Sequence, residues 1–150
     1  GFGGDEELIL AKARQFPNLH WHGRVAYQKA LALTAAADIV LALYDPVLPN
    51  HRFASPNKLF EAMMLGKPVI VAHNTHIDEI VKHEECGLAV RYGDQEDIEK
   101  EMAALAVNAD LRQNLGRNAR QAYEQQYNWE KMEARLLQLY TNIDENFPNP

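Results

Sequence analysis

Ser55-Pro56-Asn57-Lys58-Leu59-Phe60-Glu61-Ala62-Met63-Met64-Leu65-Gly66-Lys67-Pro68-Val69-Ile70-Val71 reads as a helix, a glycine stop and a buried strand in immediate succession. Ser55 is a good N-cap, and Pro56 at the first helical position has no amide hydrogen to leave unpaired. Gly66 takes the left-handed conformation that ends a helix, and Pro68 blocks its continuation. Leu59, Phe60, Ala62, Met63, Met64 and Leu65 surround most of the circumference, which predicts a largely buried helix. Asn57, Lys58 and Glu61, at spacings of three and four, share one polar stripe. Lys58 is the odd member. A cation in the first turn opposes the helix dipole by roughly 0.3–1 kcal/mol. Two readings are open: an anion docks where free amides and an ammonium act together, or Lys58 and Glu61 form a surface pair at i, i+3.

Working outward, Ile39-Val40-Leu41-Ala42-Leu43 is a continuous apolar run of the kind covered on both faces in a parallel sheet. Leu19–Gly23, Pro68–Ala72 and Gly87–Val90 are further short strands, four in all. Helices are expected from Asp5 to about Phe16, over Tyr27–Ala37 (rich in Ala and Leu, hence buried), near Asp78–Lys82, and throughout the final third. That third divides into Asp94 to Val107, Ala109 to Gln126 and Trp129 to Ile143, with a frayed tail at Asn146–Pro150. Alternating strands and helices imply a doubly wound α/β fold, a parallel sheet with helices on both faces. Ligands bind such sheets at the carboxyl ends of the strands. The long Tyr44–Ala54 loop, the Ser55 helix start and the His73–His76 loop all gather at that edge, which favours the anion over the surface pair.

The length of 150 residues suits one domain with a proper core. A net charge of −6 argues against nucleic acid as a partner, while one lysine and a helix dipole suffice for a small phosphorylated ligand. Cys86 is the only cysteine, so there is no internal disulfide, and a reducing compartment fits. No apolar run approaches the ~18 residues of a membrane span, and the first residues lack a signal-peptide pattern. The expectation is a soluble, cytoplasmic chain.

Six histidines raise a metal site, but neither His20/His22 nor His73/His76 has the Cys or carboxylate spacing of closed zinc ligation, and no metal is expected. Asp94-Gln95-Glu96-Asp97 opens a helix, where carboxylates suit the dipole. Glu79 is a helix-start carboxylate or a ligand group. Cys86 lacks a Cys–His–acid arrangement and is not expected to be catalytic. Trp129, Leu136, Leu137, Leu139 and Tyr140 on the last helix are expected core contacts, some of them exposed if the tail packs toward another domain.

Five ordered blocks resemble the C-terminal half of the retaining, group 1 glycosyltransferases of the two-Rossmann-domain type. They are Gly1-Phe2-Gly3-Gly4; Leu19-His20-Trp21-His22-Gly23-Arg24-Val25; Ala37–Leu41; the Ser55–Val71 stretch; and Asp78-Glu79-Ile80-Val81 with Gly87-Leu88-Ala89-Val90. Leu111–Arg120 and Tyr127-Asn128-Trp129 resemble the family's C-terminal helices. The resemblance implies a Rossmann-like donor-binding domain over residues 1–150 that holds a nucleotide-diphosphate sugar. In this reading Glu61 holds the ribose hydroxyls. Ser55, Pro56, Asn57 and Lys58 face the diphosphate, Arg24 and Val25 meet the nucleobase through main chain, and Gly3 belongs to the glycine turn. It implies metal-independent transfer with retention to a glycan or lipid-linked acceptor, as in polysaccharide biosynthesis, and no cofactor.

Two departures qualify that picture. The family commonly has a glutamate eight positions before the one matching Glu61, and Phe53 stands there; His51, Arg52 and His73 are the substitute candidates for sugar contacts. The family's first strand, helix and second strand, with the Arg and Lys that grip the diphosphate, have no counterpart before Gly1. The expectation is an incomplete sheet, closed by rearrangement or by a second copy, in a chain inactive without its acceptor-binding N-terminal domain. The full-length protein would lie at the inner membrane face as a peripheral protein. Two alternatives are a nucleotide-sugar epimerase of the same fold and a non-catalytic nucleotide-sugar binding module.

Overall fold

A computed structural model of the chain describes residues 4–146. Gly3 and the last four residues of the tail lie outside the described residues. The chain divides into two compact units, Gly1–Leu33 and Thr34–Pro150.

The first unit holds α1 (Glu6–Gln15) and most of α2 (Tyr27–Ala36). Lys12 and Arg14 in the last turn of α1, with Glu6 and Glu7 in its first, follow the helix dipole. Two expectations fail here. Leu19–Gly23 is not a strand: the Leu19 amide turns back to the Phe16 carbonyl at 2.9 Å, and among the described residues no ladder partner exists. An extended segment without a neighbour cannot satisfy its amides as a strand does. Nor is α2 buried, since none of its residues is inaccessible. Its Ala- and Leu-rich composition supplies helix propensity, which does not require burial.

The second unit is a three-stranded parallel sheet in the order β1 (Val40–Ala42), β2 (Val69–Ala72), β3 (Gly87–Val90). Val40 pairs with Val69 and Val69 with Gly87. Three strands replace the four expected. Between β1 and β2 run α3 (Pro49–Arg52) and α4 (Asn57–Met64), and between β2 and β3 runs α5 (His76–His83). The expected Tyr44–Ala54 loop therefore contains a short helix, with Pro49 at its first position. After β3 come α6 (Gln95–Val107), α7 (Ala109–Ala122), a π-helical turn (Tyr123–Tyr127) and α8 (Trp129–Asn146).

Every residue of β2 is buried, as its unbroken Val-Ile-Val-Ala run requires of a central parallel strand. Period-two alternation sends Val69 and Val71 to one face, where they pack with Leu59, Ala62 and Met63 of α4 and Ile77 and Val81 of α5. Ile70 points to the other face, with Leu105 of α6 and Leu115 of α7. Helices thus cover both faces. β1 is an edge strand, and Leu41 is 38% exposed, so its second face is only partly covered.

α4 ends as its sequence demands. The Gly66 amide donates to the Met63 carbonyl at 3.0 Å and the Lys67 amide to the Ala62 carbonyl at 2.9 Å, with Gly66 at φ 64°. This paired 5→2 and 6→1 closure is the Schellman stop. Its start differs from expectation by one residue. Pro56 is the N-cap, in extended conformation, and Ser55 makes no capping bond. The residue before a proline is held away from helical backbone, and Pro56 itself has ψ 139°, so the helix begins at Asn57.

The π-helical turn is tied to the α5–β3 junction through Glu84, which accepts from Tyr127 Oη at 3.1 Å and Gln126 Nε2 at 3.2 Å. Burial, helped by Glu84, pushes the Cys86 thiol up from 9.0 to about 12, so it is inert at neutral pH. Burial and Glu84 likewise raise Tyr127 from 10.0 to about 12. Both folded pKa values exceed the unfolded ones, so the folded state binds these protons more tightly. Their stabilisation is complete below pH 9.0 and is lost as pH rises toward about 12. Thermal melts are therefore expected to fall steadily above pH 9, and Cys86 should react with a thiol reagent at pH 8 only after unfolding. Rapid native-state labelling would contradict this.

Candidate functional site

The carboxyl edge of the sheet collects the segments that follow β1 and β2. α4 runs back from this edge, so its first turn, Asn57 and Lys58, stands there exposed, with Glu61 half-buried one turn on. Leu59, Ala62 and Met63 sink the opposite side of the helix into the core and fix which stripe faces outward. Asn57, Lys58 and Glu61 make no side-chain hydrogen bond or ion pair among the described residues, so the Lys58–Glu61 surface pair is not formed. The start of α4 also lacks a side-chain cap. By contrast α5, α6 and α7 are capped by Thr75, Asp94 and Asn108, each accepting from the amide three residues on.

A cleft of about 240 Å³ lies between the end of α3 and the start of α5, lined by Arg52, Phe53, Asn74, Thr75, His76 and Glu79. Phe53 is 71% exposed, and the Arg52 guanidinium lies 5.4 Å from its ring centroid, a cation–π contact. The cleft presents an aromatic face, one cation and one carboxylate, a set suited to a neutral polyhydroxylated ring. His51 packs edge-on against Tyr44, ring centroids 5.6 Å apart, with its Nδ1 buried and unpartnered. Of the three candidate sugar contacts, only Arg52 lines the cleft itself.

His73 follows β2 directly and its amide donates to the Val90 carbonyl at 2.8 Å. The next residue, Asn74, adopts φ 63° and turns the chain into α5. Asp78, 4% exposed, organises that turn. Its Oδ2 accepts from the Asn74 amide at 3.1 Å and from Lys82 Nζ at 2.9 Å. From sequence Asp78 marks only a helix start and part of the block carrying the resemblance, with no role of its own. The signal was there: Thr75-His76-Ile77-Asp78 fits a capping-box spacing, with Thr75 Oγ1 accepting from the Asp78 amide at 3.3 Å.

Arg24 and Val25 follow Gly23, whose φ of 62° makes the expected turn, in the first unit. Among the described residues no three His, Cys, Asp or Glu side chains cluster as metal ligands. No helix among them is long and apolar enough to cross a membrane. On α8, Trp129, Leu136, Leu137, Leu139 and Tyr140 are all exposed, by 48–67%, rather than buried in the core. The two core clusters are built from the strands, α4–α7 and the π-helical turn, and no α8 residue belongs to either.

A model described as glycosyl transferase-like matches residues 3–138. An uncharacterized glycosyltransferase of Methanocaldococcus jannaschii is 26% identical over 95% of this chain and 36% of its own length. The N,N'-diacetylbacillosaminyl-diphospho-undecaprenol alpha-1,3-N-acetylgalactosaminyltransferase of Campylobacter jejuni is 29% identical over 96% of this chain and 37% of its own length. The chain thus spans little more than a third of these relatives. The fold matches sucrose-phosphate synthase from Thermosynechococcus elongatus with a TM-score of 0.77 at 20% identity, covering 95% of this chain and 34% of that one.

Proposed function

The chain belongs to the glycosyl transferase-like family, and from that premise we propose that it is the donor-binding half of a retaining glycosyltransferase. The donor is a nucleotide-diphosphate sugar and the acceptor a glycan or a lipid-linked sugar. The Campylobacter relative, whose name places its acceptor on diphospho-undecaprenol, supports the lipid-linked form. The observation that carries the reading is the start of α4, uncapped and with its polar stripe unpaired, at the carboxyl edge of the sheet.

In this reading the Ser55-Pro56 turn presents the free amides of Asn57 and Lys58, which receive the diphosphate together with the Lys58 ammonium. The helix dipole and the ammonium then stabilise the same negative charge. As the sugar–phosphate bond breaks, charge builds on the departing diphosphate, and preorganised donors there lower the barrier without a metal. Glu61, one turn further, accepts hydrogen bonds from both ribose hydroxyls. Arg52, His51 and His73 are the sugar-side groups, in the place of the carboxylate that Phe53 replaces. The protein acts at the inner face of the membrane, with its acceptor bound by a further domain.

Titration of UDP, GDP and ADP into the chain, followed by amide chemical shifts, tests the reading. One of the three is expected to bind and to perturb Asn57–Glu61. Lys58→Ala should weaken that nucleotide about tenfold and flatten the salt dependence of binding, because one charge leaves the site. If none of the three binds at millimolar concentration, or if Lys58→Ala binds as tightly as the parent, the reading is wrong.

A further inference from the structure

Asp78 has one more oxygen than its structural duties require. Ordering the Asn74 turn and pairing with Lys82 both fall to Oδ2. Oδ1 is buried and has no hydrogen-bond partner. A buried carboxylate oxygen left unpaired is costly. The polar atom facing it is His73 Nδ1, 3.6 Å away, and the Asp78 side chain is 6% exposed against 37% for His73. That separation exceeds a hydrogen bond, and a bond between these two atoms requires the proton to sit on Nδ1. The nearby His76–Glu79 pair is also 3.6 Å apart, but Glu79 is 80% exposed and holds nothing in place.

We infer that Asp78 is a positioning residue: it holds His73 in the Nδ1–H form and leaves Nε2 free as a hydrogen-bond acceptor for a sugar hydroxyl at the carboxyl edge. His73 Nε2 has no protein partner among the described residues. His73 immediately precedes Asn74 and Thr75, which line the cleft. The carboxylate fixes the tautomer, as a buried aspartate does for a catalytic or metal-bound imidazole. The sugar half of this inference rests on the donor-binding reading above, while the tautomer half does not.

The two halves have separate tests. Long-range proton–nitrogen correlation spectra of the chain at pH 8 should show His73 protonated at Nδ1, and Asp78→Asn should return it to the Nε2–H form. An Nε2–H signal in the unaltered chain overturns the inference without need of any variant. For the ligand, the probes are UDP-N-acetylglucosamine, GDP-mannose and ADP-glucose, each against its free nucleoside diphosphate. His73→Ala should weaken the nucleotide sugar that binds about tenfold while changing the free diphosphate less than twofold, and His73→Gln, which keeps a polar group near the Nε2 position, should restore most of the difference. Equal losses for both ligands, or none, overturn the sugar role while the donor-binding reading stands. Failure of every nucleotide to bind overturns the donor-binding reading and the sugar role with it, and the tautomer result still decides the pairing.

Discussion

Gly116→Ala is expected to destabilise the chain by about 3 kcal/mol, at the upper end of overpacking costs, and to lower its melting temperature by roughly 6–12 °C. In an ordinary helix the change would stabilise, since alanine outranks glycine by about 1 kcal/mol in helix propensity. Here a β-carbon on Gly116 would collide with the Gly66 carbonyl oxygen and stand 3.2 Å from its carbonyl carbon. The obstacle is backbone, so no rotamer change relieves it. Nor can the Gly66 segment retreat. Its φ of 64° is set by the Schellman closure, and Pro68 leads straight into the fully buried β2. Arg120, one turn after Gly116, donates from its guanidinium to the Met64 carbonyl and reinforces the same junction. Gly93→Ala is the control: φ is 78° but nothing lies within 4 Å of the added carbon, so only the backbone strain of about 1–2 kcal/mol applies. A Gly116→Ala melt that matches the parent would refute the close α4–α7 approach.

Glu61→Gln is the functional counterpart. Two charge-assisted hydrogen bonds from a vicinal diol contribute about 1.5–3 kcal/mol each. The amide keeps one acceptor and loses the charge, so nucleoside diphosphate affinity is expected to drop on the order of a hundredfold. The substitution should cost little stability, because Glu61 is half-buried and unpaired. The role makes a second demand. The parent should prefer a ribonucleotide to its 2′-deoxy analogue, and Glu61→Gln should erase that preference. A variant that loses affinity equally for both would place Glu61 somewhere other than on the ribose.

The legible part of this molecule is the part where one physical effect dominates. The all-apolar Val69–Ala72 run has no stable place but a central parallel strand, and the Gly66–Pro68 pair permits no continuation of α4. The polar stripe of Asn57, Lys58 and Glu61 follows from the same periodicity that buries Leu59 and Met63. Where two effects compete, the sequence reading slips. Ser55 has the better capping side chain, but Pro56 sets the backbone, and the backbone wins. Leu19–Gly23 has strand composition but no neighbour to pair with, and strand formation is a property of two segments. For α2, apolar content predicts burial although an exposed leucine is ordinary; for α8, it is the exposed alternative that holds. The role of Asp78 escaped notice because it lies in a turn geometry, Asn74 at positive φ, that composition does not announce.

None of the four residues of α3 is buried, whereas β2 is buried throughout. The α3 side of the cleft is therefore only weakly coupled to the scaffold that carries it, since surface exchanges usually shift stability by less than about 0.5 kcal/mol, whereas the opposite side is anchored by buried Thr75. The Pro49–Phe53 segment is accordingly a natural graft point. On the donor-binding proposal, exchanging it for the equivalent loop of a relative should change which nucleotide sugar binds while the melting temperature stays put. A scaffold indifferent to this one segment leaves it free to diversify without renegotiating the fold.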